Sequence, residues 1–500
     1  NRHVIRWATQ GFANVIRAEG EEAMKKGVAI CMDCRNHSME FARAAAEVCA
    51  ANGIHVRIFE SLRPTPELSF AVREYDCQAG INVTASHNPK EYNGYKVYWS
   101  DGAQLPPQHA AAIARELEHI DIFTGVTSMD FNEAVNKGLI TMLGEDCDKR
   151  FMANVMSMVN DYETVKKVAD DFKLVYTPFH GCGHKLVPEA LTRLGIKHLL
   201  CVPEQMVIDG NFPTVESPNP EERKTMAMAI DLAAKEGADL VLATDPDSDR
   251  IGVALRNKKG EYVLLNGNQT LVLLLSYQLT RWAERGELDG NQYVVKTIVT
   301  SQMANAVAEH FKVKCYDCLT GFKYIAKIIR ENEGKAKYIG GGEESFGYLA
   351  GDYVRDKDAV SACSLAAEAA AWAMDTMGLT LYEWLQELYV KYGFYREGLV
   401  SVVRKGKEGA ELIQKMMVDF RANPPKAILG SEVVKINDFQ TLETLDVKTG
   451  AKTAIEQDRS NVLQWFTADG TTVSVRPSGT EPKLKLYLCA KAGSSAAADA

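Results

Sequence analysis

One serine in this chain lies where a nucleophile would be expected. The apolar residues Ile81–Val83 predict a short strand, and the small and polar residues 84–89 (Thr-Ala-Ser-His-Asn-Pro) predict a turn directly after it. Such a turn would lift the hydroxyl of Ser86 clear of the fold, with His87 beside it to move a proton. A serine turn is common on its own, so the interpretation depends on three further loops.

A second loop carries carboxylates at alternate positions. It follows the apolar segment Leu240–Ala243, which predicts a buried strand. Crowded carboxylates repel each other unless a cation lies among them, and Mg²⁺ is the usual occupant in phosphoryl chemistry. An EF-hand loop would need glycine and glutamate where this loop has Arg250 and Arg256. The sequence therefore predicts a metal site on three aspartates, Asp245, Asp247 and Asp249.

A third loop combines glycines with a carboxylate and a hydroxyl. Glycines at 340–342 and Gly347 flank Glu343 and Ser345. We expect the glycines to let the backbone approach a ligand closely, and the two polar side chains to point to the same side if the segment is extended. Such a pair suits the neighbouring hydroxyls of a sugar. On this stretch alone, a glycine hinge with surface acids is the better explanation.

A fourth loop is dense in hydrogen-bond donors. It lies between two predicted strands, Thr472–Val475 and Leu484–Leu488. Polar side chains and exposed backbone N–H groups within one tight turn form a nest for phosphate. A hairpin with polar decoration is the alternative, and the density of donors around one glycine favours phosphate. The predicted ligands are Arg476, Ser478, Gly479, Thr480 and Lys483.

Length and composition limit the class of protein. A chain of 500 residues is too long for one core and predicts three or four domains. The net charge of −9, without a long basic run, argues against nucleic acid as a partner but allows a small anionic substrate. No apolar segment reaches the roughly 18 residues of a membrane helix, so no membrane partner is expected. The odd number of cysteines, eleven, predicts reduced thiols and a cytoplasmic location.

Alternating predicted helices and strands indicate a repeated α/β organisation. Three successive units carry this alternation, and beyond about Gly393 the pattern changes to that of a smaller α+β unit. Residues 149–170 are predicted to form a helical connector. The predicted domains are residues 1–159 with the serine loop, 160–262 with the aspartate loop, 263–392 with the glycine-rich loop and 393–500 with the phosphate loop.

Taken in this order, the four loops resemble the motifs of the α-D-phosphohexomutase superfamily, which includes phosphoglucomutases and phosphomannomutases. The matching segments are residues 84–89, 245–250, 342–347 and 476–482. Residues 91–98 are similar to the phosphoglucomutase and phosphopentomutase branch, and residues 343–347 to its glucose-preferring form. The resemblance implies three α/β domains with mixed sheets and a smaller C-terminal α+β domain around a central cleft. The family's early Gly-Thr-x-Gly-Leu-Arg segment is not present here, so we expect the first domain to lack a strand. We also expect the fourth domain to be truncated.

The resemblance also implies a mutase mechanism. Ser86 would pass a phosphoryl group to a hexose 1-phosphate, most simply that of glucose, and take back the other phosphate to leave the 6-phosphate. Mg²⁺ would bind the Ser86 phosphate together with the three aspartates, and glucose 1,6-bisphosphate would be the intermediate and activator. His87 and Lys96 are candidate general acids, and Lys323 is a candidate base. The implied substrate ligands are Arg250, Glu343, Ser345, Arg476, Ser478, Gly479, Thr480 and Lys483.

Three other functions stay open at this stage. The loops bind phosphate and hydroxyls generically, so a phosphomannomutase or a phosphopentomutase would carry the same motifs. A metal-dependent phosphatase would share the aspartate loop and the nucleophile, but it has no need for a second phosphate site at Arg476. A non-catalytic sugar-phosphate-binding protein would not need an intact Ser86 or the aspartates.

Overall fold

The chain divides into two units. The computed structural model describes residues 1–404, 406–478 and 483–496. The first unit comprises Asn1–Val294 and Phe322–Trp384, and the second comprises Val295–Gly321 and Leu385–Ala500. Within the described ranges, no helix is both long enough and apolar enough to cross a bilayer.

The first mixed sheet begins the chain. Its strands are β1 (Val28–Met32), β2 (Val56–Phe59), β3 (Ala79–Val83), β4 (Lys96–Trp99) and β5 (Ile140–Leu143), in the order β4-β3-β1-β2-β5. β4 runs antiparallel to β3, and the other pairs are parallel. β1 and β3 are buried along their whole length, as expected for apolar strands covered by helices. The helices are α1 (Arg2–Ala18), α2 (Glu21–Lys26), α3 (Ser38–Ala51), α4 (Thr65–Glu74), α5 (Pro107–Leu117), α6 (Phe131–Asn136), α7 (Glu145–Ser157) and α8 (Tyr162–Val168).

The predicted helical connector over residues 149–170 is built from two helices. The segment contains two helices, α7 and α8, which are separated at residues 158–161. Asp161 starts the second helix, because its side chain accepts hydrogen bonds from the backbone N–H groups of Glu163 and Thr164. A capping aspartate stabilises a new helix start more than a continuous helix.

A second mixed sheet follows. Its strands are β6 (Lys173–Thr177), β7 (His198–Cys201), β8 (Leu240–Thr244), β9 (Ile251–Arg256) and β10 (Tyr262–Leu264), in the order β10-β9-β8-β6-β7. β6 pairs in parallel with β7 and β8, and β9 runs antiparallel to both of its neighbours. β8 is fully buried, as the apolar segment predicted. The helices are α9 (Gly183–Leu194), α10 (Pro203–Met206) and α11 (Ala227–Glu236).

The third region alternates in the same way. Its elements are α12 (Gly267–Glu284), β11 (Gln292–Thr297), α13 (Met303–His310), β12 (Lys314–Cys318), α14 (Phe322–Asn332), β13 (Lys337–Glu343), β14 (Gly347–Ala350), α15 (Ala359–Trp372), a π-helical turn (Ala373–Met377) and α16 (Leu381–Tyr392). β13 and β14 form an antiparallel hairpin in the first unit, whereas α13 and β12 belong to the second unit. Every residue of α15 is buried, and its N-cap is Asp358.

The last region is an antiparallel sheet packed with the helix α17 (Gly406–Ala422). Its strands are β15 (Phe394–Val403), β16 (Ala427–Ile428), β17 (Ser431–Asp438), β18 (Glu443–Asp446), β19 (Lys452–Ala454), β20 (Leu463–Thr467), β21 (Thr472–Pro477) and β22 (Lys483–Ala492). The sheet order is β15-β22-β21-β20-β17-β18-β19, with β16 beside β17. The helix packs Ile413 and Met417 against Trp465 and Val475 of the sheet. The predicted fold class, α/β domains with mixed sheets followed by an α+β domain, is confirmed.

Candidate active site

Strands of two different sheets bring the serine loop and the aspartate loop to one place. β3 ends at Val83, and Ser86 follows with a left-handed backbone, φ 51°. β8 ends at Thr244 and leads directly into Asp245. The Ser86 hydroxyl donates a hydrogen bond to Asp245 Oδ2 at 2.8 Å, across 159 positions of sequence. The two loops that the sequence singled out therefore share one site.

The three aspartates form a buried cluster that fits a divalent cation. Each places a carboxylate oxygen within 4.8 Å of the others, and each is at most 1% exposed. Oδ1 of Asp247 and Oδ1 of Asp249 are buried without a hydrogen-bond donor. Burial and the neighbouring carboxylates raise the pKa of Asp245 well above its usual range. Unpaired carboxylate oxygens are the ligands that Mg²⁺ prefers, so these residues fit the predicted metal.

Two lysines balance part of this negative charge. Lys96 Nζ lies 3.1 Å from Asp247 Oδ2, and Lys357 Nζ lies 3.1 Å from Asp249 Oδ2. Burial lowers the pKa of each ammonium, but the neighbouring carboxylates outweigh burial and raise both pKa values. Both lysines are therefore charged at neutral pH, and fixed positive charges of this kind stabilise a phosphoryl group during transfer.

His87 lies beside the candidate nucleophile Ser86 but is uncharged. Its Nδ1 is 3.3 Å from the Ser86 hydroxyl oxygen. Burial and the guanidinium of Arg250 lower the pKa of the imidazole to about 3. Of the two predicted general acids, Lys96 is thus the one that carries an acidic proton at neutral pH.

The glycine-rich segment forms a hairpin. Glu343 ends β13 and pairs with Gly347, which begins β14. A Cβ on Gly342 would lie 2.1 Å from the Gly347 carbonyl oxygen, and a Cβ on Gly340 would lie 2.4 Å from Gln278 Oε1. At both positions the space where a side chain would lie is filled by the protein, so packing alone requires glycine there.

The hairpin still presents the two predicted sugar ligands. Glu343 is 6% exposed, and burial raises its pKa to about 7. Ser345 lies in the turn and is partly exposed. The backbone N–H of Ile251 donates to the carbonyl of Phe346 at 3.0 Å. This bond ties the hairpin turn to the strand that directly follows the aspartate loop.

Two predicted residues of the first unit have other partners. Arg250 Nη1 lies 2.9 Å from Glu221 Oε1, while the Arg250 backbone N–H donates to Asp245 Oδ1 at 3.0 Å. Lys323, at the start of α14, places its Nζ 5.2 Å from the centre of the Tyr324 ring. Arg250 is therefore part of the aspartate loop through its backbone, whereas Lys323 faces its neighbour in the chain.

The predicted phosphate loop belongs to the second unit. Arg476 lies near the end of β21, and Lys483 begins β22. The N–H of Ser478 donates to the Lys483 carbonyl at 2.8 Å and closes the turn. Arg476 and Ser478 are partly exposed, as anion binding requires. Two further predicted ligands, Gly479 and Thr480, lie outside the described residues.

Sequence reasoning missed Lys357 and two hydrogen-bonding residues behind the aspartates. Thr65 Oγ1 donates to Asp247 Oδ2 at 2.8 Å and accepts from Asn82 Nδ2 at 2.7 Å. Asn82 is a polar residue inside the apolar strand β3. The sequence could have indicated it, because a buried amide needs a hydrogen-bond partner. Lys357 lies in a charged run just before the mainly apolar segment that forms α15, and a lysine at such a border is a candidate for a buried charge.

Models of one protein family match four consecutive parts of the chain. The phosphoglucomutase/phosphomannomutase α/β/α domain I matches residues 1–122, domain II matches 149–260 and domain III matches 266–392. The C-terminal domain of the same family matches residues 434–499.

Curated relatives and solved structures agree with these matches. A phosphoglucomutase of Staphylococcus haemolyticus is 34% identical, with 98% of this chain and 86% of the relative covered. A phosphoglucomutase of Staphylococcus aureus (strain MRSA252) is 35% identical over the same shares. The chain also has the fold of a putative phosphomannomutase from Thermus thermophilus, with a TM-score of 0.72 and 19% identity. The match covers 100% of this chain and 93% of that one. For the Paramecium phosphoprotein pp63/parafusin the TM-score is 0.69 and the identity 18%. That match covers 99% of this chain and 89% of the other.

Proposed function

Since the chain belongs to the phosphoglucomutase/phosphomannomutase family and is therefore a phosphosugar mutase, we propose that it interconverts glucose 1-phosphate and glucose 6-phosphate. The observation that carries the proposal is the 2.8 Å hydrogen bond between the Ser86 hydroxyl and Asp245, inside the aspartate cluster. A hydroxyl beside unpaired carboxylates has the arrangement needed for a phosphoserine that shares a cation with those carboxylates.

The proposed reaction is two phosphoryl transfers in opposite directions. Phosphorylated Ser86 gives its phosphoryl group to O6 of glucose 1-phosphate, so that the Oγ–P bond breaks, an O6–P bond forms and glucose 1,6-bisphosphate results. The O6 proton leaves to a base, for which Lys323 is the candidate. After the bisphosphate turns over in the site, the O1–P bond breaks and an Oγ–P bond forms on Ser86. The Ser86 hydroxyl proton passes to the group that acted as its general acid, and O1 takes the proton held by the base, which leaves glucose 6-phosphate. The enzyme ends phosphorylated, as it began.

Asp245, Asp247 and Asp249 would hold Mg²⁺ together with the Ser86 phosphate. When bound, the cation neutralises charge on the transferring oxygens. Lys96, which lies 3.1 Å from Asp247, is the proposed general acid for the Ser86 oxygen, because it is protonated at neutral pH. Neutral His87 supports the same oxygen as a hydrogen-bond partner.

The sugar and its second phosphate need separate ligands. Glu343 and Ser345 are proposed to bind sugar hydroxyls, and Arg250 to contact the transferring phosphate. The turn at Arg476, Ser478, Gly479, Thr480 and Lys483 is proposed to bind the phosphate that is not being transferred.

Free thiols at all eleven cysteines support the predicted cytoplasmic location, where disulfides are rare.

Phosphorylation of Ser86 tests the proposal directly. The protein is incubated with Mg²⁺ and glucose 1,6-bisphosphate, and its intact mass and peptide map are compared with those of Ser86→Ala. We expect one phosphoryl group on the Ser86 peptide, none on the variant, and conversion of glucose 1-phosphate by the wild type alone. Phosphate on another residue, or equal turnover by both proteins, would exclude the proposed mechanism. Parallel assays with mannose 1-phosphate and ribose 1-phosphate identify the preferred sugar.

A further inference from the structure

We propose that Arg35 is a positioning residue that holds the Ser86 loop in the geometry needed for phosphoryl transfer, an inference that rests on the proposed function. Arg35 lies just beyond β1, and its residue is 3% exposed. Its guanidinium reaches the loop that begins at β3 and binds that loop through backbone atoms. Arg35 therefore acts on the nucleophile through the chain that carries it.

The Arg35 guanidinium donates hydrogen bonds to four carbonyl oxygens of one loop. Nη2 donates to the carbonyl of Ser86 at 2.6 Å and to that of Asn88, and Nη1 donates to those of Pro89 and Tyr92 at 2.8 and 2.9 Å. Arginine presents its N–H groups in one plane at fixed angles, so four acceptors held in this way must converge on that plane. The shape of the loop is thus set by the guanidinium.

The guanidinium itself is fixed from two sides. Arg35 Nε lies 3.2 Å from Asp33 Oδ2, and Asp33 Oδ1 accepts the Arg35 backbone N–H at 2.9 Å. The ring of Phe212, from the second sheet's region, lies 5.1 Å from the Arg35 Cζ. Ser38 Oγ donates to Asp33 Oδ1 at 2.8 Å and orients that carboxylate. Arg35 therefore cannot follow the loop if the loop relaxes.

The loop needs such a restraint, because Ser86 has a strained backbone. Its φ of 51° lies in the left-handed region, which is unfavourable for a residue with a side chain. The carbonyl of Ser86 itself is among those that Arg35 binds, at 2.6 Å. Holding this carbonyl fixes the direction of the Ser86 side chain and keeps its hydroxyl at 2.8 Å from Asp245 Oδ2.

The test is the variant Arg35→Lys, with Arg35→Gln as a second replacement. A lysine offers three donors on one atom and cannot reach four carbonyls in a plane, so it should not rescue the function. We expect kcat for glucose 1-phosphate to fall about 100-fold, as for a nucleophile misplaced by about 1 Å. KM should stay within about 2-fold, because the proposed sugar ligands Glu343 and Ser345 lie on another hairpin. Phosphorylation of Ser86 by glucose 1,6-bisphosphate should slow in parallel.

Amide hydrogen exchange of residues 84–94 gives a readout that does not depend on turnover. We expect faster exchange in this segment of Arg35→Lys than in the wild type, with other segments of the first unit unchanged. Arg281→Lys is the matched control, because Arg281 Nη2 pairs with Asp161 Oδ2 at 2.8 Å in the same unit, away from the Ser86 loop. The control should keep wild-type kcat and wild-type exchange at residues 84–94.

The outcomes separate this inference from the proposed function. Wild-type kcat and unchanged exchange in Arg35→Lys would overturn the positioning role, and so would a raised KM with normal kcat. A wild-type protein that takes no phosphate on Ser86 would overturn the proposed function and, with it, the role of Arg35 in transfer. Phosphorylated wild type with an unaffected Arg35→Lys would overturn the inference alone.

Discussion

At the residue scale, the site is organised by charge that has been removed from water. Asp247 is flanked by Lys96 and by the hydroxyl of Thr65, yet its Oδ1 accepts no hydrogen bond. Leaving a buried acceptor unpaired is unfavourable unless something else binds there. The open oxygens on Asp247 and Asp249 therefore indicate a cation more directly than the mere number of acidic residues does.

Asp247→Asn should remove the stabilisation that Mg²⁺ gives to the wild type. A ligand that binds only the folded state at 100 times its Kd stabilises that state by about 2.7 kcal/mol, so Mg²⁺ should raise the wild-type Tm and EDTA should reverse the rise. We expect no such shift in Asp247→Asn, together with a loss of isomerase activity of at least roughly 100-fold. Thermal unfolding with and without Mg²⁺ measures this.

The matched control for that experiment is Asp170→Asn. Asp170 is 81% exposed and pairs with Lys197 on the surface, so the same chemical change should leave the Mg²⁺ effect intact. An equal Mg²⁺-dependent Tm shift in wild type and Asp247→Asn would show that the aspartates do not bind the cation.

At the element scale, tight packing behind the loops fixes where they lie. A Cβ on Gly181 would be 2.4 Å from Pro246 Cα, and a Cβ on Gly183 would be 2.5 Å from Thr244 Oγ1. The start of α9 therefore rests directly against the aspartate loop. The helix α15 is buried on every side, and its Glu368 accepts backbone N–H groups of Asn160 and Asp161 at 2.7 and 2.5 Å.

Glu368 makes the stability of this helix contact depend on pH. Burial raises the pKa of Glu368 from its ordinary 4.5 to about 7. A carboxyl group whose folded pKa is raised stabilises the fold fully below about pH 4.5 and loses that contribution as the pH rises through about 7. Relative to Glu368→Gln, the free energy of unfolding of the wild type should fall by on the order of 3 kcal/mol between pH 4.5 and pH 8.

Urea unfolding at several pH values, followed by amide exchange of α15 and residues 158–161, measures this slope. Glu163→Gln provides the control, since Glu163 has 74% side-chain exposure and its replacement should leave the pH dependence as in the wild type. Parallel pH curves for the wild type and Glu368→Gln would contradict the assignment.

At the scale of the whole molecule, the proposed chemistry is divided between the two units. Ser86 and the aspartates belong to the first unit, and the turn at Arg476 belongs to the second. Cation binding and phosphate binding are therefore expected to respond separately to mutation.

Arg476→Ala should weaken catalysis without changing Mg²⁺ binding. A charge-assisted hydrogen bond contributes about 1.5 to 3 kcal/mol, so kcat/KM for glucose 1-phosphate should fall between about 10-fold and 150-fold. The Mg²⁺-dependent Tm shift should equal that of the wild type. Steady-state kinetics and thermal unfolding on the same preparation measure both quantities.

Arg421→Ala is the control in the same unit, because Arg421 pairs with Asp438 at 3.0 Å and takes no part in the predicted phosphate loop. Wild-type kcat/KM in Arg476→Ala, or loss of the Mg²⁺ effect, would contradict the proposed division of roles.

The sequence by itself determined the candidate reacting groups and the local elements that carry them. Ser86 was identified from a turn after an apolar strand, and the aspartates from alternate carboxylates after a second apolar strand. Both patterns are local, because strand burial and turn formation depend mainly on neighbouring residues. The break before Asp161 and the hairpin at Gly342 were not predicted, since capping and cross-strand clashes decide them.

Only the tertiary structure decided how these groups act on one another. The contact of Ser86 with Asp245, the charge that Lys357 brings to Asp249 and the hold of Arg35 on the serine loop each join distant parts of the chain. The sequence suggested His87 as a general acid, but burial and nearby cations lower the pKa of its imidazole, so the ring is neutral. Electrostatic energies depend on distance and burial in space, and neither quantity is contained in the order of residues.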